Sequence, residues 1–324
     1  MKTSLIIILV VIAALLVFFV IPTLIMSYII FSVVLVRTGP EKWGRGNSAP
    51  DDEEQVMIYD DGQKWGDRNA ARKTDVSTTN DGFKLCGEYF DFGSDKAVII
   101  IPGRMEACTY SYHFAYPYEE AGFNVLVIDN RSHGLSEGKY NSLGFKEYRD
   151  IIAWAKMLHD TFGNAKVVLH GICIGSSTAL FALTSKDCPD YLCAMTADGM
   201  YETFYQTFKN HMKQQKRPMY PYIWEVMLHI RVFAGANVVT DGPVKRIKLM
   251  NKPILFIHSK EDVFSLPEKA QKLYDYCPSE NKKLEWFDVG GHSRVRLHNT
   301  EKYDATVVDF MKKLGLCSEA KEQA

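Results

Sequence analysis

Ser4 to Val36 contains no charged residue and consists almost wholly of Ile, Leu, Val, Phe and Ala. About 20 apolar residues suffice for a helix to cross a bilayer. This run is longer, so it can span with tilt, kink at Pro22 or leave one end in the interface. Two crossings and a turn would need more residues. A cleaved signal peptide has a shorter apolar core and ends in a small-x-small site, and no such site stands out. A single-pass anchor is therefore expected over residues 1–36, with the lipid bilayer as a partner. Lys2 precedes the run, and Arg37, Lys42 and Arg45 follow it. The positive-inside rule thus leans toward a cytoplasmic catalytic domain.

After the anchor, residues 37–72 are polar and read as a tether with one short helix and a turn at Tyr59-Asp60-Asp61-Gly62. From 73 to 316 the pattern is that of one α/β domain, followed by a tail at 317–324. Lys73–Thr79 and Phe83–Phe90 flank Asn80-Asp81-Gly82, a hairpin signal. The β-branched runs at 97–101, 125–128 and 166–169 have no polar alternation, as strands covered on both faces require. Further strands are expected at 192–196, 253–258 and 283–287. Helical stretches at 112–121, 145–161, 176–184, 267–276 and 301–314 lie between or after them. Such alternation implies a mostly parallel sheet with helices on both faces, compatible with an antiparallel hairpin at the front.

Composition removes several classes. Lys plus Arg number 38 against 39 Asp plus Glu, so no basic surface is available for a nucleic acid. The seven cysteines have neither CxxC nor zinc-knuckle spacing, which excludes a zinc module and a disulfide scaffold. Unpaired thiols fit a reducing compartment. No metal or other cofactor is called for.

The chemistry gathers at strand ends. The strand at 166–169 runs into His170-Gly171-Ile172-Cys173-Ile174-Gly175 and then a helix. This is a nucleophile elbow with Cys173 in the nucleophile's place. Gly171 and Gly175 are expected because side chains there would clash in so sharp a turn. The helix N-terminus that follows favours a thiolate. In chain order come Asp262, with Glu261 as the fallback, and then His292 after Gly290-Gly291. Nucleophile, acid and histidine are thus ordered as a triad. The oxyanion hole is expected from the N–H groups of Ile174 and Arg104, with Gly103 keeping the backbone close to the substrate. Asp129 and Arg131 are expected to pair. His133 and His170 read as structural.

These residues resemble the α/β-hydrolase superfamily over about 73–316. More narrowly, the chain looks like membrane-anchored bacterial hydrolases of the prolyl-oligopeptidase and acylaminoacyl-peptidase group. The stretches that carry the resemblance are IIIPGR, DNRSHGLSEG, LHGICIGSSTAL, PILFIHSKED and the GGH loop. Three departures stand out: Cys173 replaces the usual Ser, Pro102-Gly103 the usual His-Gly, and Ser-Arg-Val-Arg follows His292. A Cys in this elbow is similar to that of dienelactone hydrolases. The resemblance implies that the aromatic stretch 199–250 is a cap inserted between the sixth and seventh strands. An aromatic lid favours an apolar or acyl substrate, and its rings equally suit packing on the body or contact with a membrane surface. The implied activity is hydrolysis of an ester, thioester or short peptide through Cys173, His292 and Asp262. The alternative is a non-hydrolytic binding module or an acyltransferase.

Overall fold

The computed structural model describes residues 2–317, so all of the expected tail except Cys317 lies outside the described residues. Eight strands make one sheet in the order β1-β2-β4-β3-β5-β6-β7-β8. They are β1 (Lys73–Asn80), β2 (Phe83–Phe90), β3 (Lys96–Ile101), β4 (Asn124–Ile128), β5 (Lys166–Ile172), β6 (Leu192–Asp198), β7 (Ile254–Ser259) and β8 (Lys282–Phe287). The β1–β2 and β2–β4 pairings are antiparallel, and the rest are parallel. The expected hairpin is present: Asn80 pairs with Phe83, and Asp81 and Gly82 both have positive φ, as a type I′ turn requires. This is the α/β-hydrolase fold.

The unalternating runs are explained by two-sided burial. In β3, Ala97, Ile99 and Ile101 enter one apolar cluster while Val98 and Ile100 enter the other. In β4, Leu126 and Ile128 divide from Val125 and Val127 in the same way. The main helices are α1 (Thr3–Leu35), α2 (Glu53–Arg68), α3 (Glu147–Phe162), α4 (Ile174–Leu183), α5 (Phe204–Gln214), α6 (Tyr222–His229), α7 (Pro267–Tyr276) and α8 (Thr300–Lys313). The helix expected at 112–121 is broken into a turn at Tyr112–Phe114 and a short helix at Tyr116–Glu120. Pro117 has no N–H and is accommodated only in a first helical turn.

Residues 37–72 differ from a tether. Tyr59–Gly62 is not a turn but the middle of α2. The Asp52 side chain caps that helix by accepting from the Gln55 N–H at 3.2 Å. A Cβ on Gly62 would stand 3.1 Å from the His113 nitrogen, so the glycine permits close approach of two backbones. Trp65 is fully buried, and its Nε1 donates to Glu119 Oε2 at 2.6 Å. The mean polarity of the segment hid one apolar stripe (Ile58 and Trp65) on an otherwise solvated helix.

Helix α1 is continuous and apolar, long enough to cross a membrane. Its two ends differ. Its N-terminal portion stands clear of the body, while Phe31 and Leu35 are fully buried in a cluster with Ile174, Tyr201 and Phe204. Thr23 Oγ1 donates to Glu225 Oε1 at 2.7 Å, and Ser27 Oγ lies 3.0 Å from His229 Nε2. One face of the last third of the apolar run, Ser27, Phe31 and Leu35, is therefore core of the folded body. A chain beginning at Arg37 loses Phe31, Leu35 and Val36 from that core, at a cost on the order of 5 kcal/mol. Differential scanning calorimetry is expected to show a markedly lower Tm than for a chain beginning at Pro22.

Candidate active site

The strand β5 ends at Ile172 and α4 starts at Ile174, leaving one residue to reverse the chain. That residue, Cys173, has φ +53° and ψ −110°, a conformation side-chain-bearing residues rarely adopt. Its strain is held by crowding on both sides. A Cβ on Gly171 would lie 2.4 Å from the Gly175 carbonyl carbon, and one on Gly175 would lie 2.1 Å from Ile101 O. Both glycines are thus required, as the elbow spacing predicts. The Cys173 N–H donates to Asp198 O at 2.9 Å. Ser176 Oγ donates to Gly171 O at 2.5 Å and to Asp198 O at 3.0 Å. The Ile174 N–H, at the first position of α4, has no intrahelical acceptor.

Asp262 and His292 meet over this turn. His292 Nδ1 donates to Asp262 Oδ2 at 2.7 Å, and Asp262 Oδ1 accepts from the N–H groups of Phe264 (2.9 Å) and Ser265 (2.7 Å). Burial works against the Asp262 charge, but His292, His258 and the Ser265 N–H outweigh it and hold the carboxyl below its ordinary pKa. Burial likewise disfavours a charged His292, yet Asp262 and Cys173 together raise its pKa well above the usual value. With Nδ1 committed to Asp262, Nε2 is the nitrogen left for Cys173. Glu261 does not face the histidine: its Oε2 accepts from the Gly290 N–H at 3.1 Å.

The Ser-Arg-Val-Arg continuation of the histidine loop has a structural cause. Arg294 pairs with Asp52 and Glu54 at the start of α2. Arg296 pairs with Asp304 at 2.7 Å and Asp61 at 3.1 Å. The polar segment before the sheet thereby clamps the loop that carries His292.

The loop after β3 forms the opposite wall. The Gly103 N–H donates to Glu106 Oε2 at 3.0 Å, and His133 Nε2 donates to Arg104 O at 2.6 Å. His133 itself is buried and stacks on Trp43 with ring centroids 4.5 Å apart. The expected Asp129–Arg131 pair does not form. Arg131 pairs with Asp150 at 2.5 Å and Asp129 with Arg45 at 2.9 Å, because residues 37–72 bring Arg45 to the site and α3 brings Asp150. Together these elements enclose a cavity of about 430 Å³ bordered by Cys173, His292, Arg104 and Ile174, with Phe204 and Phe208 from α5. Val34 of α1 is also part of its wall. The Arg104 guanidinium donates to Val34 O at 3.2 Å, and Arg104 lines the cavity.

The remaining titratable groups divide clearly. His170 is fully buried between the Tyr118 and Tyr303 hydroxyls, at 3.0 and 3.2 Å, and burial drives its pKa down to about 3. It is a neutral core histidine. Burial raises the thiols of Cys86, Cys108, Cys188, Cys193, Cys277 and Cys317. Among the described residues no His/Cys/Asp/Glu group has metal-binding geometry. Among the participants that escaped the sequence reading are Val34, Glu106 and Asp198. Only Asp198 left a signal, as a carboxylate at the end of a buried strand.

Asp198 accepts from the Tyr303 hydroxyl at 2.7 Å through Oδ2, while Oδ1 has no partner. Burial raises its pKa to about 7. The unfolded carboxyl titrates near its ordinary value of about 3.9. Between these values the folded chain holds a proton that the unfolded chain has lost, so stability falls as pH rises from about 4 to about 7. Asp198→Asn cannot titrate. Denaturant melts across that range are expected to show a flatter pH dependence for the variant than for wild type.

Several known proteins are similar to this chain. A family model described as alpha/beta hydrolase fold matches residues 96–216. An uncharacterized protein of Bacillus subtilis, YqkD, is 27% identical over 216 residues, covering 66% of this chain and 70% of its own. An uncharacterized membrane protein of Saccharomyces cerevisiae, YNL320W, is 28% identical over 178 residues, covering 54% of this chain and 57% of its own. Among solved structures, the Pyrococcus furiosus esterase Pf2001 superposes with a TM-score of 0.65 at 26% identity, over 76% of this chain and 93% of that one.

Proposed function

We propose that this chain, which has the α/β-hydrolase fold and matches the family model over residues 96–216, cleaves an ester or thioester through Cys173, His292 and Asp262. The observation that carries the reading is Cys173 on its strained turn, with the His292–Asp262 pair facing it inside a walled cavity. The Cys173 thiolate attacks the acyl carbon, and a C–S bond forms. The resulting oxyanion is received by the N–H groups of Ile174 and Arg104. The His292 imidazolium, stabilised by Asp262, then gives its proton to the departing alcohol or thiol. Water, deprotonated by His292, attacks the thioester and releases the acid and the thiol of Cys173. Phe204 and Phe208 supply the apolar wall for the acyl group.

The apolar helix is read as a single-pass anchor, which agrees with the printed name of the yeast relative. The positive flank Arg37, Lys42 and Arg45 favours the cytoplasmic side for the body. A short peptide, as the prolyl-oligopeptidase resemblance implies, is the second substrate class. Acyl transfer is the second reaction class, since an acyl-Cys intermediate can pass to an acceptor other than water. A purely binding role has no such use for the strained turn.

The test is a panel of p-nitrophenyl esters and thioesters on the full chain in nanodiscs. Cys173→Ala is expected to abolish turnover, and His292→Ala to lower kcat by about 10²–10⁴-fold. Asp262→Asn is expected to leave binding intact and lower kcat with a changed pH profile. Turnover that survives Cys173→Ala would sink the proposal.

A further inference from the structure

The apolar helix is longer than a bilayer needs, and its contacts divide it. Thr23 and Ser27 are the first α1 residues with polar bonds to the body, to Glu225 and His229 of α6. Farther along, Tyr28 and Phe31 meet Phe233, with centroids 5.5 and 5.8 Å apart. The pairs 23 with 225, 27 with 229 and 31 with 233 advance together, so α6 runs alongside α1 in the same direction. The N-terminal end of α6 therefore points toward the free portion of α1. That free portion, residues 3–22, is about 20 positions and about 30 Å long, the thickness of a bilayer's hydrocarbon core.

At the leading end of α6 the apolar side chains are uncovered. Tyr220 is 60% exposed and Trp224 49%, followed by Leu228 at 51% and Val232 at 64%. Positions 224, 228 and 232 share one helical face. The outer face of α1 beside them is also uncovered, with Ile25 and Ile29 about half exposed. The apolar surface of the helix thus continues without a break onto the cap. Tyr and Trp are the residues that favour the boundary between hydrocarbon and water.

We propose that residues 3–22 alone occupy the hydrocarbon, and that Tyr220, Trp224 and Leu228 of the cap sit in the bilayer interface beside them. The stem 23–36 then lies outside the hydrocarbon as part of the catalytic body. Val34, a wall of the cavity, stands twelve residues beyond Pro22, or about 18 Å along the helix. The cleft is held at a fixed height above the membrane by the hydrogen bonds of Thr23 and Ser27. This inference rests on the anchor reading but not on the identity of the nucleophile.

The test uses the full chain in phosphatidylcholine vesicles, with and without bromine on the acyl chains. Trp43, Trp65 and Trp154 are buried, and Trp286 lies on the edge strand β8, so Trp224 is the tryptophan placed to meet lipid. Brominated lipid is expected to quench wild-type emission, and Trp224→Phe to remove most of that quenching. Trp224→Phe is conservative, and an unchanged Tm shows that the fold is kept. Equal quenching in wild type and Trp224→Phe would overturn the proposal. So would an unquenched Trp224 in a chain that floats with the vesicles, and a dimer in nanodiscs with no lipid quenching would assign the face to a second copy. A chain that fails to float with the vesicles would overturn the anchor reading as well.

Discussion

The close contact of two glycines governs this molecule. Between β5 and α4 the chain reverses over one residue, and it does so only because Gly171 and Gly175 put hydrogens where other residues put carbon. Gly175 lies against the Ile101 carbonyl of β3, so the turn is wedged onto its neighbouring strand. The result is a left-handed Cys173 that the rest of the fold must hold in place. The Cys173 N–H and Ser176 Oγ both bond to Asp198 O at the end of β6, which ties the strained turn to the next strand on the other side. From this one constraint follow the height of the thiol above the sheet and the exposure of the first α4 N–H.

Around the turn, the walls come from parts of the chain remote in sequence. Residues 43–68 appear at first as a linker and instead reach three sides of the site. Trp43 stacks on His133, Arg45 pairs with Asp129, and Asp52 and Glu54 fix Arg294 beside His292. The end of the apolar helix supplies Val34 and a carbonyl for Arg104. The His292 loop, the clamp and the stem are one packed unit, so the site is built partly from what lies next to the membrane-spanning candidate.

How much of this was readable depends on the range of the interaction. The elbow, the carboxylate after β7 and the histidine after β8 are local events at strand ends, and each carries its own spacing, so Cys173, Asp262 and His292 were legible. The strands were legible because two-sided burial leaves an unbroken β-branched run. The partners of Arg131 and Asp129 were not, since Asp150 and Arg45 are brought in by tertiary packing that no spacing records. A short helix was expected in this segment, but the place and length of α2 were missed because its buried stripe is narrow and its polar face dominates the composition. The break before Tyr116 was legible in principle, as Pro117 marks it.

The most direct measurement of the central claim is acid-quenched peptide mapping by mass spectrometry during turnover of a slow thioester substrate by the full chain. The account predicts an acyl group on the peptide containing Cys173, formed more slowly in His292→Ala and absent in Cys173→Ala. An acyl group on another residue, or turnover with Cys173 left unmodified and dispensable, would contradict it.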